Sequence, residues 1–184
     1  MDATFLDAAR ATCDQYIDVA ATDGVPYWDA GAPGLSMMDG WRDRAADPFN
    51  DHEPVDSSAA AIAAQGLLRL GHVLTARGDE AGGSRYTQAG LRVLDTLCAE
   101  PYLSADAGHQ GLLLHSVYHW PNGWDYVPAG ARTPRGESSQ WGDYHLREAA
   151  LYVKRLAEDQ PYLAFFGPGD NGDHGDHGDH GGNG

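Results

Sequence analysis

Asp56-Ser57-Ser58-Ala59-Ala60-Ala61-Ile62-Ala63-Ala64 opens a run that continues through Leu67, Leu70 and Leu74, and its reading decides the class of the fold. Alanine and leucine at this density favour helix, the apolar positions recur at helical spacing, and Asp56 or Ser57 can accept a hydrogen bond from the first turn. The pattern predicts a helix over 59–74. Its small residues, Ala59, Ala60, Ala63, Ala64 and Gly66, let neighbouring backbones come close, which suits a helix packed on more than one side. Arg77-Gly78-Asp79 is a tight turn, and from about 80 to 99 Tyr86, Val93, Leu94, Leu97 and Cys98 mark the apolar face of another helix. Two helices joined by so short a glycine turn make an antiparallel hairpin.

Upstream, Phe5, Ala9, Cys13, Tyr16, Ile17 and Ala20 recur at helical spacing over 4–20, with Asp2 available as a cap. The stretch 22–54 is rich in Gly, Pro and Asp and carries Tyr27-Trp28-Asp29 and Met37-Met38-Asp39-Gly40-Trp41. It is too long for a simple connection, so it is expected to be functional or packed by its own aromatics, lying over one end of the fold. Met37 and Met38 read as core filling, and Asp51-His52-Glu53 as a solvated surface run. Downstream, Pro101 ends the third helix. Residues 111–118 read as a short helix or a strand, 119–140 as loop, and 142–157 as a last helix marked by Leu146, Ala149, Ala150, Val153 and Leu156. No segment alternates convincingly as a strand, so the class is all-α, built from helical hairpins.

The 184 residues suit one domain. With 27 acidic against 12 basic residues the net charge is −15, which repels nucleic acid and anionic lipid. No apolar run is long enough to suggest a membrane crossing, and Met1-Asp2-Ala3-Thr4 lacks the basic region and apolar stretch of a secretory signal, so a cytoplasmic location is expected. Cys13 and Cys98 are too few for a disulfide framework and read as core thiols in a reducing compartment. The acidic set is 21 Asp to 6 Glu, against 11 Arg and the single Lys154. Dense short carboxylates with little lysine resemble proteins of a salty, halophilic cytoplasm, and a GC-rich genome is the alternative source of Arg over Lys.

The region 115–144 is dense in aromatic and polar side chains, including His115, Tyr118, Trp124, Asp125, Tyr126, Ser138, Ser139, Trp141, Asp143 and Tyr144. Sugar C–H faces stack on aromatic rings while sugar hydroxyls need planar donors and acceptors, so this is the composition of a carbohydrate site. Loops over helices also need aromatics simply to pack. In the C-terminal Gly-Asp-His repeats, His174, His177 and His180 could bind a metal weakly, but a disordered acidic tail is favoured because glycine at every third position provides no scaffold.

The DSSAAAIAA block that begins at Asp56 is followed by Leu112-Leu113-Leu114-His115-Ser116-Val117-Tyr118-His119. After these come Pro121-Asn122-Gly123-Trp124-Asp125-Tyr126-Val127-Pro128 and Gly136-Glu137-Ser138-Ser139-Gln140-Trp141-Gly142-Asp143-Tyr144. With Val25-Pro26-Tyr27-Trp28-Asp29 ahead of them, these blocks resemble, in order and rough spacing, the C-terminal half of the unsaturated glucuronyl hydrolases, glycoside hydrolase family eighty-eight. The resemblance spans about 4–158.

It implies an (α/α)6 barrel of which 1–160 would supply about half the hairpins, with 161–184 as a disordered low-complexity tail. It further implies polysaccharide degradation, through release of a 4,5-unsaturated uronic acid from lyase-generated oligosaccharides. The family hydrates the vinyl ether: an aspartate protonates it and then activates water, and the hemiketal opens to free the sugar. No metal or organic cofactor is implied. The family's two catalytic aspartates lie in its N-terminal half, so no catalytic residue is carried onto this chain. Asp56 reads as a helix cap and Asp143 as a carboxylate at a helix start. Substrate contacts are expected at His115, Tyr118, Trp124, Ser138, Ser139, Asp143 and Tyr144. The chain alone is expected to be inactive, an N-terminal half chain completing the barrel. The alternatives are a non-catalytic carbohydrate-binding helical domain and a structural remnant.

Overall fold

A computed structural model describes residues 3–161. Four helices carry it: α1 (Ala3–Val19), α2 (Ser57–Ala76), α3 (Glu80–Leu97) and α4 (Gln140–Ala157), with single 3-10 turns at Pro33–Met37, Trp41–Asp43 and Trp120–Asn122. Among the described residues the only β pairing is two isolated bridges, Tyr27 with Val55 and Leu103 with Leu113. The fold is all-α. The segment 111–118, open between helix and strand by periodicity, is extended loop with one bridge in it. Asp2 and the C-terminal tail lie outside the described residues. Contacts divide the chain into two units, Met1–Ala150 and Leu151–Gly184.

Residues α2 and α3 form the hairpin at the centre of the first unit. The Asp56 carboxylate caps α2 by accepting the Ser58 and Ala59 N–H groups at 3.0 and 3.3 Å, and Asp79 caps α3 by accepting that of Gly82 at 2.9 Å. Between them Gly78 takes a left-handed φ of 85°, and the Asp79 N–H closes back on the Leu74 carbonyl at 3.0 Å. The two helices cross where neither has a side chain. A Cβ on Gly71 would lie 2.9 Å from the Gly83 carbonyl oxygen, and one on Gly83 would lie 3.0 Å from that of Gly71. The core gathers around this contact: Ala60, Ala61, Ala64, Leu67, Leu68 and Leu74 of α2 with Val93 and Leu97 of α3, joined by Tyr102 and Leu113, are all essentially excluded from water.

By length and composition α2 could cross a membrane, but half of it is buried inside the fold, as expected of a core helix. In contrast, no residue of α1 is buried. Polar ties hold α1 instead: Arg10 pairs with Asp79 at 2.6 Å, and Asp14 pairs with Arg85 and accepts the Tyr86 hydroxyl at 2.7 Å.

The long loop 22–54 is packed by its own residues. Val25, Tyr27, Leu35 and Met38 are buried, and the Tyr27 ring meets Trp41 edge-on at 5.4 Å. Three sequence expectations are corrected here. Met37, unlike Met38, points to solvent, because only one of two successive residues can face the core at that turn. Glu53 is not a solvated carboxylate: it is 5% exposed and accepts the Trp28 indole N–H at 2.7 Å and the Gly34 N–H at 2.8 Å, which offset its burial. The cysteines are not core thiols, since α1 presents no buried face to enclose Cys13 and α3 stops at Leu97, leaving Cys98 exposed as its cap.

Candidate functional site

The loop after His115 is bent back by Asp125, whose carboxylate accepts the Tyr118 N–H and, at 2.8 Å, the His119 N–H. Gly123, at a left-handed φ of 65°, completes the reversal. That places Trp124 on Tyr118, ring centroids 5.6 Å apart and planes 25° from parallel, and both rings are 62% exposed. Trp141, in the first turn of α4, lies tilted at 5.5 Å from Tyr118, and the His119 ring sits 5.3 Å from Trp124. Rings of this size facing water in one group are unusual, because each buries large apolar area when covered.

Trp141 is positioned from beneath. Its indole N–H donates to the Ser58 hydroxyl at 3.0 Å, and Ser58 donates to Asp56 at 2.6 Å. Burial pushes the Asp56 carboxyl above the ordinary aspartate range, opposed by the hydrogen bonds it accepts from Ser58, Ala59 and Val117. Asp56 therefore acts as cap and anchor.

On another side of the α4 start lies a polar cavity of about 540 Å³. Its walls include His109, Gln110, Ser138, Ser139, Gln140 and Asp143, with His109 Nε2 and the Ser138 hydroxyl 2.8 Å apart. The Ser139 hydroxyl accepts the Gly142 N–H at 3.1 Å and so caps α4. Asp143 does not reach back to its own helix start. It accepts the backbone N–H groups of Leu112 and Leu113 at 2.9 and 2.8 Å and pins the preceding loop to α4.

The residues read from the sequence thus divide. Tyr118 and Trp124 stand in the aromatic group, and Ser138, Ser139 and Asp143 line the polar cavity. Tyr144 is exposed, its ring edge-on to His145 at 5.1 Å. His115 is in neither place: at 4% exposure it lies inside the fold, edge-on to Phe49 and Tyr102, with Nδ1 accepting the Gly136 N–H at 3.2 Å. Its backbone takes a left-handed φ of 67°, and burial lowers its pKa to about 4, so it is neutral at pH 7. Sequence reasoning missed His119, His109, Gln110 and Gln140. His119 and Gln140 lie inside stretches that carry the family resemblance and were accessible to it, whereas His109 and Gln110 carry no spacing signal. Among the described residues no group of three or more His, Cys, Asp or Glu side chains could hold a metal ion.

No protein-family model matches the chain. The unsaturated glucuronyl hydrolase of Formosa agariphila is 30% identical to it over 155 residues, 83% of this chain and 31% of that protein. The chain is also similar to a solved structure of UGL, an aspartate-to-asparagine variant with dGlcA-Glc-Rha-Glc. The TM-score is 0.59 at 26% identity, covering 84% of this chain and 34% of the other. In sequence and in helical fold the chain resembles the unsaturated glucuronyl hydrolases, and its partial α/α architecture is like theirs. It spans about a third of the length of the relatives it matches, less than the half the motifs suggested.

Proposed function

We propose, from the likeness to unsaturated glucuronyl hydrolase, that this chain supplies part of the substrate-binding face of a glycoside hydrolase acting on 4,5-unsaturated uronyl oligosaccharides in the cytoplasm of a salt-adapted cell. The observation that carries this reading is the open stack of Tyr118 and Trp124 with Trp141 beside it. An aromatic face of that extent matches the C–H face of a pyranose, and the Tyr118 hydroxyl and His119 imidazole stand at its edge for sugar hydroxyls. Ser138, paired with His109, and Ser139 offer further polar contacts around the α4 start. Tyr144 extends the same helix face. His115 serves from inside, holding Gly136 and meeting Phe49 edge-on, and Asp143 serves by fixing the 112–113 backbone.

Hydrating a vinyl ether needs a carboxylic acid placed to protonate carbon, and then a base for water. Asp56, Asp125 and Asp143 each accept backbone N–H bonds that hold the carboxyl group in place. They are anchors, so the proton donor is assigned to the part of the fold that this chain does not span, carried by an N-terminal half that completes the barrel. The chain by itself is then a sugar-binding surface without turnover. Intrinsic tryptophan fluorescence tests this: an unsaturated uronyl disaccharide should quench saturably, and the ultraviolet absorbance of its double bond should persist with the pure chain. Quenching with lasting absorbance in the completed barrel as well would favour a non-catalytic carbohydrate-binding domain.

A further inference from the structure

Where the end of α1 and the second half of α3 meet the loop at 21–24 there is a cavity of about 230 Å³, lined by no residue of the aromatic group or of the polar cavity at α4. Ile17, Ala20, Leu67 and Val93 form its apolar wall, the last three being core residues. Arg42 and Arg92 line the same cavity, and no Asp or Glu does, in a chain with 27 acidic residues against 12 basic. Among the described residues neither guanidinium has an ion-pair or hydrogen-bond partner, Arg42 lying over the Trp41 ring at 4.8 Å, whereas Arg10, Arg69 and Arg85 are each matched to a carboxylate. The walls are pinned from several sides. The Tyr16 hydroxyl donates to the Gly24 carbonyl at 2.6 Å and the Thr96 hydroxyl to that of Asp23 at 2.9 Å. Gly24, at a left-handed φ of 83°, lies so close to α3 that a Cβ on it would be 2.5 Å from Val93 Cγ2. At the end of α1 the Tyr16 and Ala21 carbonyls accept the Ala20 and Gly24 N–H groups at 3.0 and 2.9 Å, so these carbonyls do not account for the two arginines.

We propose that this cavity binds a small organic monocarboxylate with an apolar body, an aromatic or short aliphatic acid, its carboxylate on Arg42 and Arg92 and its carbon skeleton against Ile17, Ala20 and Val93. Two guanidiniums at one cavity repel each other until an anion joins them, and their planar donor sets match a carboxylate. The apolar wall selects what hangs from that carboxylate. A polyhydroxylated acid would bury hydroxyls against Ile17, Ala20 and Val93, and the one polar side-chain atom of Tyr16 is already spent on Gly24. A bare inorganic anion would leave the same wall in water. The space is smaller than the roughly 300 Å³ at which drug-sized sites begin, so the ligand is small. The inference is independent of the sugar reading, since it shares no residue with it.

The test titrates benzoate into the full chain and follows backbone amide shifts by NMR. Saturable shifts should centre on Gly24, Arg92 and Val93, with a Kd on the order of 1 mM, as suits so small a ligand. At the same ionic strength benzamide, inorganic phosphate and glucuronate should each bind at least about tenfold more weakly. Arg42→Gln and Arg92→Gln should each weaken benzoate at least about fivefold, while Arg132→Gln, at an exposed arginine outside the cavity, should leave it unchanged. Ala89→Leu, on the α3 wall of the cavity, keeps both charges and helix propensity but takes up the space, so it should cost at least about tenfold at unchanged circular dichroism. Should Ala89→Leu perturb the fold, the two cavity arginines against Arg132→Gln decide alone. Benzamide binding as well as benzoate, or equal effects of all three arginine variants, overturns the proposal. So does phosphate binding as well as benzoate, which would reduce the site to bare charge attraction, and so does glucuronate binding as well, which would make it a second sugar site. No variant touches the aromatic face, so failure here leaves the carbohydrate reading standing, and the reverse holds.

Discussion

The Trp141 indole donates to the Ser58 hydroxyl at 3.0 Å, so a ring of the aromatic group is tied to the first turn of the central helix. Ser58→Ala removes this bond and the one from Ser58 to Asp56. It should destabilise the fold by about 1–3 kcal/mol, since the partners are left unsatisfied and one is a carboxylate. Trp141→Phe should be non-additive with Ser58→Ala in urea unfolding. Strict additivity would show that the bond is not made in solution.

His115 makes acid stability pH-dependent. Its pKa falls from 6.5 in the unfolded chain to about 4 in the fold, so between those values the unfolded state binds the extra proton. The stabilisation it contributes is full above pH 6.5 and is lost as pH falls towards 4, about 3 kcal/mol in all. His115→Asn tolerates the left-handed backbone and keeps an acceptor for Gly136, and it should flatten the unfolding free energy across that window. An unchanged pH profile would place the imidazole in water.

Asp56 acts in the opposite sense. Its folded pKa is raised by burial, so the folded state holds a proton more readily than the unfolded one. Stability from this group is greatest below the ordinary aspartate value and declines as pH rises through the raised one. Asp56→Asn, which keeps an acceptor for the cap, should lose that decline, whereas Asp56→Ala should cost about 1 kcal/mol at neutral pH through the lost cap. Thermal melts of both variants from pH 3 to 7 distinguish the two effects.

The two glycines of α2 should behave oppositely. Gly71→Ala pushes a methyl into the Gly83 backbone and should destabilise by about 1–3 kcal/mol. Gly66→Ala enters open space and should stabilise by up to about 1 kcal/mol through helix propensity. Chemical denaturation of the pair in parallel would refute the close α2–α3 crossing if both were stabilising.

On the proposed sugar face, Trp124→Ala should reduce affinity for an unsaturated uronyl disaccharide by about tenfold with the helices intact. In a completed barrel, Tyr118→Phe should weaken substrate use by about ten- to a hundredfold if its hydroxyl bonds a charged sugar. Titration calorimetry of Trp124→Ala and steady-state kinetics of Tyr118→Phe measure these, and unchanged values for both would return the rings to a packing role.

Much of the fold was legible because its causes are local. Asp56 ahead of an alanine-rich run is a cap whatever surrounds it, and Gly78 between two periodic segments makes a hairpin turn without tertiary help. The site was legible only as a composition. Tyr118 and Trp124 lie close in the chain, so their nearness was readable, but the arrival of Trp141 depends on Ser58, distant in sequence. His109 meets Ser138 across 29 residues, and no spacing rule announces it.

By itself the sequence determined the helices, the Asp56 cap of α2, the central hairpin and the acidic net charge, because propensity, periodicity and charge act over a few residues. Only the tertiary structure decided which polar groups go inside. Glu53 is buried because Trp28 and Gly34 bring donors to it, His115 because Phe49, Tyr102 and Gly136 enclose it, and Cys98 stays outside because α3 ends one residue earlier. Burial is a property of what the rest of the chain places around a residue. A side chain's type sets the cost of going inside, and its distant neighbours set whether that cost is met.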